Sequence, residues 1–259
     1  MNLHMICILS IPLMTAMLPA RAAQTCDARS GPNRVALVEL YTSEGCSSCP
    51  PADRQLSQLD TVPDISAEVV PLALHVGYWD RLGWTDHFAQ DRFALRQSWL
   101  VHANDHSTVY TPQFFVGGAE LRSWSASLPA RVRQVHTQPA AASISLHAVF
   151  SADNVLTLEA MATAPATNAS AVLYLAIAEN GLVTKVKGGE NVGATLAHNH
   201  LVREWLGPFR LSGGTARVQR TVKLPTSWQR DHLEMIGFVE DEHSGVVLQA
   251  LRTASCSGV

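Results

Sequence analysis

Val35-Ala36-Leu37-Val38-Glu39-Leu40-Tyr41-Thr42-Ser43-Glu44-Gly45-Cys46-Ser47-Ser48-Cys49-Pro50-Pro51 is the stretch on which the fold turns. Up to Tyr41 it is apolar apart from Glu39, as in a strand buried on both faces with one functional interruption. A polar turn then carries two cysteines in a Cys-x-x-Cys and ends on Pro50-Pro51, residues suited to the first positions of a helix. The order is strand, turn, cysteine pair, then a helix over 50–59. A cysteine beside a helix N-terminus meets unpaired N–H groups and the positive end of the helix dipole, which favour its thiolate. Cys46, the outer residue, is the expected nucleophile, and Cys49 the resolving thiol.

Working outward, residues 68–76 read as a second apolar strand, and 86–103 carry Phe88, Phe93, Leu95, Trp99 and Leu100 at helical spacing. A strand over 109–116 enters through Thr111-Pro112 and closes on Gly117-Gly118; a short strand near 119–121 and a helix over 125–136 follow. Beyond residues 137–142 the pattern changes. Residues 143–150 and 155–160 alternate apolar and polar, and further strand patterns cover 171–178, 182–187, 216–224, 233–240 and 246–251. Many short strands with turn signals predict an all-β sandwich-like domain over 139–259, after an α/β domain over 23–138.

With 47% hydrophobic and 16% charged residues among 259, the composition is globular. Lys plus Arg number 19 against 22 Asp plus Glu, with no block of like charge, which excludes a nucleic-acid footprint. Residues 5–18 are nearly all apolar and precede Ala20-Arg21-Ala22, so residues 1–22 read as a signal peptide with a small-residue cleavage site. That run is too short to span a bilayer comfortably, and the expectation is an exported protein, periplasmic or secreted, without stable membrane insertion. Of five cysteines, Cys7 falls in the signal, leaving Cys26, Cys46, Cys49 and Cys256 in an oxidising compartment. One redox pair plus a structural disulfide between Cys26 and Cys256, near the two mature ends, is the expected use; two unrelated thiols are the alternative.

The element order, with Cys46-x-x-Cys49 at a helix start and Thr111-Pro112 before the third strand, resembles the thioredoxin-like oxidoreductases. That resemblance implies a cis Thr111–Pro112 bond whose loop faces the cysteines and orients a client backbone. The expected fold is therefore an α/β thioredoxin-like domain followed by an all-β sandwich-like domain. Residues 38–53, His75-Val76-Gly77-Tyr78-Trp79-Asp80-Arg81-Leu82-Gly83-Trp84, Gly189-Glu190-Asn191 and His198-Asn199-His200-Leu201-Val202-Arg203 resemble the secreted family called domain of unknown function 1223 (DUF1223). This implies export and a thioredoxin-like N-terminal domain, and names no substrate. Glu39 lies seven residues before Cys46, where the thioredoxin resemblance has a buried acid at six. As a buried carboxyl it would take the proton of Cys49; an ion pair or a solvent-facing side chain is the other reading.

The segment holding His75, Tyr78, Trp79 and Trp84 mixes aromatic and charged residues in a loop after the second strand, which suggests a binding surface beside the cysteines. A loop pinned down by its tryptophans is the bland counterpart. The polar insertion over 189–203, with His198 and His200, is a candidate to reach over the same site. On a strand those two histidines would point the same way. Eleven histidines raise a metal alternative, with His75, His102, His106, His198 and His200 best placed, and the cysteine pair as copper ligands or half a zinc site. No second Cys-x-x-Cys completes a zinc set. The sequence thus points to an exported thiol–disulfide oxidoreductase with no metal or cofactor, acting on a protein or small-thiol disulfide. The alternative is a binding module or copper carrier in which the pair is structural or a ligand.

Overall fold

The computed structural model describes residues 24–253 and Cys256; the expected signal peptide over 1–22 lies outside them. In chain order the elements are β1 (Gln24–Arg29), β2 (Ala36–Thr42), α1 (Pro50–Gln58), β3 (Val69–His75), α2 (Asp91–Ala103), β4 (Gln113–Val116), β5 (Ala119–Glu120) and α3 (Trp124–His136). There follow β6 (Ser143–Phe150), β7 (Val155–Thr163), β8 (Ala171–Glu179), β9 (Leu182–Lys185), β10 (Thr195–His198), β11 (Leu201–Arg210), β12 (Thr215–Lys223), β13 (Leu233–Asp241) and β14 (Val247–Arg252). Pro50 and Pro51 open α1, where their missing N–H groups have no intrahelical partner to lose, and Ala52 and Leu56 turn inward. α2 starts later than its apolar spacing suggests because Asp86 is spent on hydrogen bonds in the preceding loop.

The expected α/β thioredoxin-like domain followed by a separate all-β sandwich-like domain is not what forms. Strands hold 42% of the described residues, and one mixed sheet of eight strands, ordered β14-β13-β8-β11-β3-β2-β4-β5, draws from both halves of the sequence. The join is β11, which runs parallel to β3 at Leu201 and Ala73 and antiparallel to β8. The cause is the outer edge of β3. β2 and β3 are buried along their whole length, and an apolar strand with an open edge is a template for further pairing. The C-terminal strands satisfy that edge and continue the sheet. The second half is β-rich as expected; its strands β6, β7 and β12, joined by β1 from the N-terminal end, form a four-stranded antiparallel sheet, and β9 and β10 a hairpin.

Three cores cover the large sheet. On one face Phe93, Leu100 and Val101 of α2 pack over Leu37, Tyr41, Leu72, Leu74, Ala176 and Phe238. The opposite face is shared. Ala36, Val38 and Leu40 meet Leu56 of α1 and Leu128 and Val132 of α3. Farther along the same face, Leu173, Leu175, Ile177 and Met235 meet Leu146, Phe150, Leu156 and Leu158 of the small sheet. The strict alternation of β2 therefore assigns its odd residues to α2 and its even residues to α1.

Candidate active site at the Cys46–Cys49 disulfide

Cys46 and Cys49 are joined in a disulfide at the start of α1, with Cys49 as the residue preceding the first helical turn. The Cys49 carbonyl accepts the first helical hydrogen bonds, from Ala52 N (2.9 Å) and Asp53 N (3.1 Å). Both sulfur-bearing residues are 0% exposed, while Ser47 and Ser48 between them face solvent.

Two residues more than 140 positions away hold the cysteine turn. The β9–β10 hairpin tip brings Glu190, whose carboxylate accepts from Ser47 N (3.0 Å) and Ser47 Oγ (2.7 Å). Asn191 Nδ2 donates to Glu44 O (2.8 Å) and Cys46 O (2.9 Å). Gly188 makes the approach possible, since a Cβ there would stand 2.3 Å from Gly83 O. Trp79 packs on Gly45 and donates its Nε1 to Thr111 Oγ1 (2.7 Å), tying the cysteine turn to the cis Thr111–Pro112 bond. Tyr78, 37% exposed, hydrogen-bonds Gln97 (3.3 Å).

Beside the disulfide lies a buried set of acids and bases. Glu44 takes Trp84 Nε1 at 2.8 Å on one oxygen, and His198 Nε2 stands 3.0 Å from the other. Burial alone would raise the Glu44 carboxyl, yet hydrogen bonds from His198, Thr184 and Trp84 hold it below its ordinary range. Asp86 accepts from Glu44 N (2.9 Å) and His75 Nδ1 (2.7 Å). Burial opposes charge on His75, but Asp86 outweighs it and its pKa rises. Asp53, in the first turn of α1, goes up through loss of solvent, with His75, the Thr42 hydroxyl and His198 pulling the other way. Asp53 and His75 line the same gap, with Leu56, Ala73, His198 and Asn199, too tight to admit a water-sized sphere. Asp53 Oδ1 and His75 Nε2 are closed off from solvent without a hydrogen-bond partner.

The proton-relay reading of Glu39 does not hold. Its side chain lies on the α2 face of β2, opposite α1, and is gripped by Arg96 (Nε to Oε1 2.6 Å, Nη2 to Oε2 3.2 Å), which also binds Glu240 (3.0 and 2.8 Å). One residue's difference from six to seven before Cys46 flips a strand side chain to the other face. His198 and His200 do not act together either: His200 has φ 55°, which breaks the alternation, and its nitrogens face Asp60 (3.1 Å) and Glu234 (3.2 Å). Arg252 holds the other oxygens of those carboxylates (2.6 and 3.2 Å). Asp60, His200 and Glu234 bring three ligand atoms within 4.8 Å of one another, but with both imidazole nitrogens and an arginine engaged the set suits an ion-pair ring better than a cation. His102 and His106 sit at the end of α2, on Ser98 O and Glu120, away from His75. Cys26 and Cys256 are disulfide-bonded, joining β1 to the segment after β14. Among the described residues no helix is long and apolar enough to cross a membrane.

Sequence reasoning missed Asp53, Glu44 and Asp86 as members of the site. Asp53 had a signal: it lies four residues after Cys49 at a helix start, on the same face.

A family model described as a protein of unknown function (DUF1223) matches residues 37–240. The crystal structure of protein AGR_C_4864 from Agrobacterium tumefaciens is similar, at 26% identity and TM-score 0.59, over 87% of this chain and 96% of that one. HBP35 of Porphyromonas gingivalis shares the fold at TM-score 0.64 and 15% identity, over 86% of this chain and 75% of its own. No curated protein matches the sequence.

Proposed function

We propose, on the premise that this chain belongs to the DUF1223 family, that it is an exported thiol–disulfide oxidoreductase acting on a protein or small-thiol disulfide. The observation that carries the reading is the Cys46–Cys49 disulfide at the first turn of α1, backed by buried ionisable groups on the α1 side of the sheet. In the reduced chain Cys46 attacks the client disulfide and Cys49 resolves the mixed disulfide, leaving the client as two thiols. Helix N–H groups favour the Cys46 thiolate, and the Trp79–Thr111 contact holds the neighbouring loop. Tyr78, Leu82 and Val192, each more than a third exposed, provide apolar surface on the turn and hairpin that border the pair.

The test is the reduction potential of Cys46–Cys49 in metal-free glutathione buffers, with insulin reduction by wild type and Cys46→Ser alongside. A value between roughly −120 and −270 mV with activity lost in Cys46→Ser supports the reading. Complete burial of both sulfurs favours a second reading, in which the pair is structural and the chain a binding module. A potential below about −300 mV and equal rates in the two proteins would select it.

A further inference from the structure

We infer that Asp53 is the proton acceptor of Cys49, so that α1 carries both the resolving thiol and its base. The inference rests on the exchange reaction proposed above and adds a residue to it. Cys49 has helical backbone angles (φ −77°, ψ −38°) and Asp53 lies four residues on, with its N–H bonded to the Cys49 carbonyl. Side chains so spaced share a face, with Cβ atoms roughly 5–6 Å apart. Helical side chains also lean back toward the N-terminus, which is the direction of the cysteine turn from Asp53.

Buried polar atoms without partners call for an explanation, and here three belong to residues lining one gap, Asp53 Oδ1, His75 Nε2 and His198 Nε2, the last standing 3.0 Å from Glu44. Asp53 Oδ1 and His75 Nε2 are closed to solvent and unsatisfied, while His75 is fixed by Asp86 through its other nitrogen. A metal between them is not favoured: among the described residues the gathered donor trio is the separate Asp60–His200–Glu234 set. A carboxylate that must alternately take and release a proton has a reason to keep one oxygen without a fixed partner. Loss of solvent already raises its proton affinity. Glu39 has no such freedom, being held by Arg96 on the other face of the sheet.

The step balances as follows. With Cys46 in a mixed disulfide, Cys49 gives its thiol proton to the Asp53 carboxylate and its thiolate attacks Cys46 Sγ. The intramolecular disulfide forms, and the client sulfur leaves as thiolate to take a proton from solvent. In the reverse direction, protonated Asp53 returns the proton to Cys49 as it leaves.

The experiment follows reoxidation of the reduced chain by glutathione disulfide, and reduction of the oxidised chain by dithiothreitol, across pH. Wild type, Asp53→Asn, Asp53→Glu and Glu39→Gln are compared. Asp53→Asn should slow resolution about a hundredfold near neutral pH. Glutathionylated Cys46 should accumulate, visible by mass, and the deficit should close at high pH where Cys49 ionises unaided. Asp53→Glu should recover part of the rate, and Glu39→Gln should keep the wild-type profile. An unchanged pH–rate profile in Asp53→Asn overturns the inference. Should Asp53→Asn fail to fold, a carboxyl-carbon NMR titration of Asp53 in wild type decides: equal pKa values in the oxidised and reduced chains overturn it. Both reagents react with any reachable cysteine pair. A structural-range potential in wild type therefore refutes the proposed function independently of what Asp53 does.

Discussion

Replacing Arg96 by Met should remove a charge that both halves of the sequence depend on. The guanidinium is 7% exposed as a side chain, and the carboxylates of Glu39 on β2 and Glu240 on β13 are each 1% exposed. Four hydrogen bonds of 2.6–3.2 Å join the three groups across the face of the large sheet. Rings of Trp99, Tyr174, Trp205 and Phe238 stand 5.0–5.5 Å from the same guanidinium. Without Arg96 two buried like charges face each other. Breaking a buried ion pair from one side costs about 3–5 kcal/mol, and the lost ring contacts add about 0.5–2 kcal/mol. Burial already raises the Glu240 carboxyl despite Arg96, so in Arg96→Met that carboxyl rises further above its unfolded value. A carboxyl raised in the folded state gains stability as pH falls, and the deficit should shrink on acidification. Urea unfolding followed by tryptophan fluorescence at pH 7 and pH 5 reads both effects, with Trp99 and Trp205 close to the change. A pH 7 loss under about 1 kcal/mol, or a deficit that grows toward pH 5, would refute the assignment of this triad as the tie between the halves.

The ring of Asp60, His200, Glu234 and Arg252 should give the wild-type chain a pH-dependent stability of its own. Burial opposes charge on His200, but Asp60 and Glu234 raise its pKa, so its contribution is whole below about 6.5 and fades as pH rises through the raised value. The urea midpoint of wild type should fall over that interval, and that of His200→Gln should not. Opening the loop of sequence separation 230 by Cys26→Ser should cost about 2–5 kcal/mol in urea unfolding under oxidising conditions. Gly188→Ala places a Cβ 2.3 Å from Gly83 O and should lift the hairpin off the cysteine turn. Its signature is faster reduction of Cys46–Cys49 by dithiothreitol than in wild type, and an equal rate would show that the hairpin does not limit access.

Local chemistry alone determined much of the site. Two prolines after Cys49 fix where α1 begins, the apolar run 35–41 requires a buried strand before it, and the Cys-x-x-Cys spacing permits a disulfide across that junction. These are short-range consequences of backbone geometry, and they survive any surroundings. The tertiary structure decided which strand fills the edge of β3, and with it that one sheet runs through both halves instead of two domains standing apart. Edge pairing depends on which distant strand is free to come, and periodicity holds no record of a partner. The face taken by Glu39 is the same kind of outcome: alternation groups it with Leu37 and Tyr41, but only the packing of α1 and α2 on opposite faces says which group meets the cysteines. Glu190 and Asn191 reach Ser47 and Cys46 across more than 140 residues because Gly188 lets two backbones touch, a contact that exists only after the chain has folded.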